Sequence, residues 1–212
     1  MRLDHVSYAA ESDGLVATAK RLGTALGITP VDGGLHPRFG TRNVILPLAG
    51  RQYVEVVEVL DHPASDKAPF GQAVRARSGN GGGWLGWVVA VEDIGPTERR
   101  LKRSSVQGNR HRPDGVELRW RQIGVKGLLA DPQLPFVICW ETPPELHPSA
   151  SASTDVAITA LQIAGSPNRV REWLGLGADY APRSVAFDWV APHGNPGLLA
   201  VAFSTRGGTV MI

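Results

Sequence analysis

The chain has 212 residues, 42% hydrophobic and 20% charged, an ordinary balance for a globular protein with a real core, in one large domain or two small ones. Its 22 basic and 20 acidic residues leave a formal charge of +2, and apart from Arg99-Arg100-Leu101-Lys102-Arg103 and Arg110-His111-Arg112 the cations are scattered, so nothing calls for nucleic acid. A single cysteine, Cys139, excludes an intrachain disulfide; with no N-terminal apolar stretch and no run of membrane-spanning length, a cytoplasmic chain without signal peptide or anchor is expected.

In chain order, Leu3 to Ala9 alternates as a strand, and Asp13 to Leu26 carries Leu15, Val16, Ala19, Leu22 and Leu26 at helical spacing, ended by Gly27. A Gly-rich passage, Gly33 to Asn43, reads as a loop passing into a strand. Strands follow at Val44 to Leu48 and Tyr53 to Leu60, separated by Ala49-Gly50-Arg51. After the break Gly79-Asn80-Gly81-Gly82-Gly83 the order returns: strand Trp84 to Val91, helix Pro96 to Arg103 with proline in its first turn, and strands Val116 to Ile123 and Phe136 to Glu141. The Arg99 to Arg103 run reads as a solvated helix end, and Cys139 as a small buried hydrophobe. The Ser-rich stretch Ser149 to Ser153 then leads to a third round: strand Ala157 to Ile163, helix Asn168 to Leu174, and strands near Ser184 to Val190, Leu198 to Ser204 and Thr209 to Ile212. His193 falls in a surface turn and is given no role.

A period of roughly 75 to 80 residues points to duplicated units. The expected modules are residues 1–63, 83–148 and 154–212, the third degenerate. A small sheet with one helix hides only one face, so two modules side by side would make a curved, half-barrel wall around a cleft, an α+β fold.

Two ionisable residues fall on strand faces expected to be buried, His5 and Glu55. Alternation puts Leu3, His5, Ser7 and Ala9 on one face and Tyr53, Glu55 and Val57 on one face, so His5 and Glu55 can share the cleft side. Such a pair suits metal ligation, acid–base or substrate-binding work without metal, or a structural hydrogen bond. Pro37 favours extended backbone at His36, and Gly33, Gly34 and Gly40 permit a turn that aims His36, Arg38 and Asn43 inward, or an ordinary hairpin. Trp84, Trp87, Trp120 and Trp140 either wall an apolar pocket or fill the core. His147 sits in a proline-stiffened loop near the expected cleft mouth. Arg112, Glu117, Arg119 and Arg121 read as a solvated, charged strand face. No dinucleotide, phosphate-loop or nucleophile-elbow motif is present, so no nucleotide cofactor is expected.

Leu3-Asp4-His5-Val6, the run Gly34 to Asn43, and Tyr53-Val54-Glu55-Val56-Val57-Glu58 together resemble the vicinal oxygen chelate superfamily, the glyoxalase-like proteins built from paired βαβββ modules. The resemblance covers the first two modules well and the third by element order only. It implies that His5 and Glu55 hold the places of a divalent-metal site (Zn, Ni, Mn, Fe or Mg) and of catalysis, with His36, His111 or His147 as a third ligand. In the second module the matching places are vacant, Gly86 opposite His5 and Ile138 or Trp140 opposite Glu55. It further implies a pocket for a small oxygenated molecule, contacted by His36, Arg38, Asn43, Trp84, Trp140 and His147, in an isomerase, lyase or related enzyme working through an enolate-like intermediate; the alternative is a metal-free protein that binds or sequesters a ligand. Because three modules cannot all pair within one chain, a homodimer is expected, with neither nucleic acid nor membrane as partner.

Overall fold

A computed structural model of the chain describes residues 1–177, 185–191 and 195–212; Ser184 and His193 lie outside the described residues. The first module is β1 (Arg2–Ala9), α1 (Leu15–Leu26), β2 (Val31–His36), β3 (Thr41–Leu48) and β4 (Gln52–Val59). Two helices follow that the sequence reading missed, α2 (Pro63–Lys67) and α3 (Pro69–Gly79). The second comprises β5 (Gly83–Ala90), α4 (Gly95–Leu101), β6 (Val106–His111), β7 (Glu117–Ile123), α5 (Gly127–Ala130) and β8 (Phe136–Trp140). The strands lie in the orders β1-β4-β3-β2 and β5-β8-β7-β6, and the two quartets join through β1 with β5 and β2 with β6 to close an eight-stranded barrel. The cleft is therefore the interior of a barrel.

Alternation decides what enters that interior. On β4, Val54 and Val56 point out to the core beneath α1, while Tyr53 and Glu55 line the interior. The apolar stripe of α1, Leu15, Ala19, Leu22 and Leu26, packs on that outer face with Leu46 and Leu48, and Gly27 ends the helix in the left-handed conformation. The opposite assignment holds for α3. Its Phe70, Ala73 and Val74 pack with Val57, Val88, Ala90, Phe136 and Ile138, so this helix plugs the barrel. Gly71 allows the approach: a Cβ there would stand 2.6 Å from the carbonyl oxygens of both Phe39 and Ser65.

The remaining elements are β9 (Ala157–Ala164), α6 (Pro167–Leu174), β10 (Ala186–Val190), β11 (Gly197–Thr205) and β12 (Gly208–Met211). Their order along the chain repeats that of the first module, but the pairing is different: β10 lies parallel to β9, and the sheet runs β10-β9-β11-β12. One face of this sheet packs on the outside of the barrel, where Ile158, Leu161, Val201 and Phe203 share a core with Trp84, Trp87, Leu46 and Leu48. Trp84 stacks on Phe203 and donates its indole N–H to the Ile212 carbonyl at 2.9 Å. The barrel wall thus covers one face of the third module within the chain.

Two smaller expectations are corrected. Cys139 is half-buried, its Sγ 3.3 Å from the Glu92 carbonyl, because it points outward from β8, away from the cavity lined by Ile138 and Trp140. In the basic run, Arg100 donates to the carbonyls of Trp173 at 2.6 Å and Glu172 at 3.3 Å, completing the last turn of α6. No helix among the described residues is long and apolar enough to cross a membrane.

Candidate active site

A bulge in β1 sets the site. Leu3 pairs with Val89 and His5 with Val88, leaving Asp4 as an additional residue with no partner on β5. Leu3 consequently turns to the outer core, correcting its expected place beside His5, and Asp4 and His5 meet each other. Asp4 is wholly buried and takes Arg2 at 2.6 Å, His5 Nδ1 at 2.9 Å, His147 Nε2 at 3.2 Å and the Trp140 indole at 3.3 Å. Burial alone would raise its pKa, but the hydrogen bonds from His147 and His5 outweigh it and hold the carboxyl well below the usual range. An ionised Asp4 only accepts, so the His5 proton resides on Nδ1 and the lone pair of Nε2 faces inward. Tyr53 stacks on the imidazole with ring centroids 4.4 Å apart and fixes its plane.

Opposite stands Glu55, also buried. Its Oε2 accepts from Ser7 Oγ at 2.8 Å and its Oε1 from Asn43 Nδ2 at 2.7 Å, while His5 Nε2 lies 4.0 Å and His36 Nε2 3.7 Å away. Burial would raise this pKa also; the imidazoles of His36 and His5 and the bonds from Asn43 and Ser7 lower it on balance. Burial pushes His36 down to about 4, against the pull of Glu55 and with Arg110 adding to the fall.

These groups line a cavity walled by Phe39, Tyr53, Phe70, Trp120, Phe136, Ile138 and Trp140, with Arg110 and Gln122 as its further polar residues. About 30 Å³ is open to the centres of water-sized groups, so the space suits a molecule of a few heavy atoms. Gly108 makes room for Trp120, whose ring would stand 2.4 Å from a Cβ there; the Trp120 indole donates to Gln122 Oε1 at 2.7 Å. Arg110 is buried, reaches this cavity and also an outer groove of about 610 Å³, and its Nε has no hydrogen-bond partner.

Of the residues named from sequence, His5, His36, Glu55 and Trp140 line the cavity, and buried Asn43 holds Glu55 from behind. His36 is the last residue of β2, not part of a loop, with Nδ1 3.0 Å from Thr41 Oγ1. Arg38 is exposed on the turn after β2, and neighbouring Phe39 is the one that enters. Trp84 belongs to the outer core, because β1 and β5 carry a second register shift beside it. His147 lies against Asp4 and lines the outer groove, one residue removed from the chemistry, and His111 is exposed beside Glu117. Asp4, Arg110 and Gln122 were missed. For Asp4 the signal was a carboxylate next to His5, between the apolar residues Leu3 and Val6.

The second module offers no matching polar pair. Ala9 pairs with Val57 as Ala90 pairs with Ile138, so Phe136, rather than Ile138 or Trp140, answers Glu55, and Gly86 answers His5. Divalent metals are common in the superfamily the sequence resembles. Among the described residues no group of three His, Cys, Asp or Glu side chains is arranged to hold an ion, and Glu55 faces His5 while held by Ser7 and Asn43.

A barrel of paired modules around a buried, polar cavity defines the vicinal oxygen chelate class. The sequence matches the family model of the glyoxalase-like domain over residues 3–177, and the chain belongs to that family. Among solved structures it is similar to a hypothetical protein from Staphylococcus aureus at 14% identity and a TM-score of 0.73, covering 99% of this chain and 97% of that one. It also aligns with methylmalonyl-CoA epimerase from Mycobacterium tuberculosis at 19% identity and a TM-score of 0.45, over 71% of this chain and 91% of that one. A Streptomyces coelicolor methylmalonyl-CoA epimerase in complex with 2-nitronate-propionyl-CoA aligns at 15% identity and a TM-score of 0.46, over 66% of this chain and 96% of that one. These likenesses concern the fold. No curated protein matches the sequence.

Proposed function

We propose that this glyoxalase-like protein is an enzyme that binds a small oxygenated organic molecule in the barrel and moves a proton on it, as an isomerase or lyase does through an enolate-like intermediate. The observation that carries the reading is His5, an oriented imidazole whose Nε2 lone pair faces the cavity between two buried carboxylates, Asp4 at 2.9 Å and Glu55 at 4.0 Å. His5 takes the proton from a carbon beside a carbonyl, the imidazolium so formed lies between Asp4 and Glu55, and return of the proton completes the cycle. Asp4 is a positioning residue, and Glu55 stabilises the charge that develops. Exclusion of water by the aromatic walls strengthens both interactions. The cytoplasmic setting read from the lone cysteine belongs to the same proposal.

Solvent exchange tests it. With pyruvate and hydroxyacetone in deuterium oxide, the protein accelerates deuterium incorporation followed by NMR, and His5→Gln lowers that rate by about 100-fold or more. Binding without exchange above the buffer rate for either compound would overturn the reading in favour of a sequestering protein. Metal analysis of protein purified without an affinity tag returns no stoichiometric divalent ion; a full equivalent, lost in Glu55→Gln, would return the site to metal chemistry.

A further inference from the structure

Among the described residues Arg110 is the only arginine or lysine that is buried, at 4% exposure, and the proton transfer makes no use of it. It projects from β6 to the junction of the inner cavity and the outer groove and lines both. Its guanidinium has no hydrogen bond and no ion pair with any described residue, and the buried Nε is unsatisfied. Burial works against its charge; Tyr53, Glu55 and Asp32 favour it from a distance, and Arg112 opposes them. Glu55 is not bonded to it; its carboxylate accepts instead from Ser7 and Asn43.

A guanidinium does not escape burial by losing its proton, and buried charges in folded proteins are paired because desolvation is costly. An unpaired one lining a cavity is a place built for an anion. Its planar fork matches two oxygens of a carboxylate or phosphate at once. Gln122 stands in the same cavity with its oxygen occupied by the Trp120 indole, so its amide N–H groups, which have no described partner, are free to donate.

We propose that Arg110, assisted by the Gln122 amide, binds an oxyanion group of the substrate, a carboxylate or a phosphate, and that the substrate is therefore a small organic anion held at Arg110 with its carbonyl carbon toward His5. The proposal rests on the proton-transfer reading for the direction of the substrate, but the anion site stands on Arg110 itself. The outer groove leaves space for a larger substituent on the anionic side.

The experiment is a titration followed by fluorescence of Trp120 and Trp140, which wall the cavity, with pyruvate, acetate and inorganic phosphate against methyl pyruvate and acetamide as neutral counterparts. At least one anion saturates the signal and raises the thermal midpoint in a concentration-dependent way, and its neutral counterpart binds at least about tenfold more weakly. Arg110→Gln weakens the anion by about tenfold or more, and Arg110→Lys restores only part of the loss because the charge returns without the fork. Saturation by the carboxylates alone, or by phosphate alone, identifies the group. Equal affinity for charged and neutral probes, no binding of any anion, or an Arg110→Gln protein that binds anions like the wild type would each overturn the proposal. Wild-type discrimination decides the matter even if Arg110→Gln fails to fold. Anion binding without deuterium exchange removes the proton-transfer reading and leaves this one standing; exchange confined to neutral hydroxyacetone does the reverse.

Discussion

His36 is a base that burial keeps neutral. Its folded pKa of about 4 lies below the ordinary 6.5, so below pH 6.5 the unfolded chain takes up a proton that the folded chain refuses. The stability it contributes is whole above pH 6.5, falls as the pH drops toward 4 and levels off below, a loss on the order of 3 kcal/mol for a gap of that size. His147, also shifted down by burial, adds to the same slope, whereas Glu55 and Asp4, shifted down as acids, lose their contribution only at lower pH. Urea melts across this range show stability falling with pH, and His36→Gln flattens the slope; an unchanged slope would show His36 to be solvated. From the sequence, the position of His5 and Glu55 followed from strand alternation, since each interrupts an apolar pattern. Arg110 did not, because in Arg110-His111-Arg112 one cation of three turns inward, and only the register of β6 against β7, with Arg110 opposite Leu118, says which.

Among the elements, α3 carries most of what was unreadable. Gly79 to Gly83 reads as a break and the residues just before it carry no assignment from sequence, though Pro63 and Pro69 each stand in the first turn of a helix and Phe70, Ala73 and Val74 keep helical spacing. Its docking inside the barrel depends on Gly71. Gly71→Ala places a methyl against the carbonyls of Phe39 and Ser65, so α3 moves outward, stability falls by about 1–3 kcal/mol, and Phe70 withdraws from the cavity wall. Chemical denaturation measures the first effect and ligand affinity the second; wild-type values for both would mean that the helix rests more loosely than its contacts indicate. The bulge at Asp4 was likewise hidden, since simple alternation assigns Asp4 and His5 to opposite faces. That one additional residue converts a lone histidine into an oriented base.

At the scale of the molecule, the module order was legible because each strand and helix keeps its own period, while the pairing of the last sheet was not, because order along the chain does not specify neighbours. The barrel is closed by two unequal seams. Along one, β1 and β5 run together over most of their length; along the other, β2 meets β6 through the single pair Leu35 with His111. At that second seam Gly34, with φ +98°, lies so close that a Cβ would stand 1.9 Å from the His111 carbonyl. The first seam is sealed outside by the second sheet through Trp84, Trp87 and Phe203; the second lies beside the outer groove, where Gly33 and Arg110 are both found. The seam between β2 and β6 therefore has the fewest strand pairs around the barrel, and it is where local opening is expected first. Amide hydrogens of β2 and β6 exchange faster than those of β1 and β5, and slow when an anion saturates the site; uniform protection around the barrel would mean that ligands enter elsewhere. Because Arg110 sits on β6 beside that seam, an anion bound there would also tie down the part of the wall with the least backbone pairing of its own.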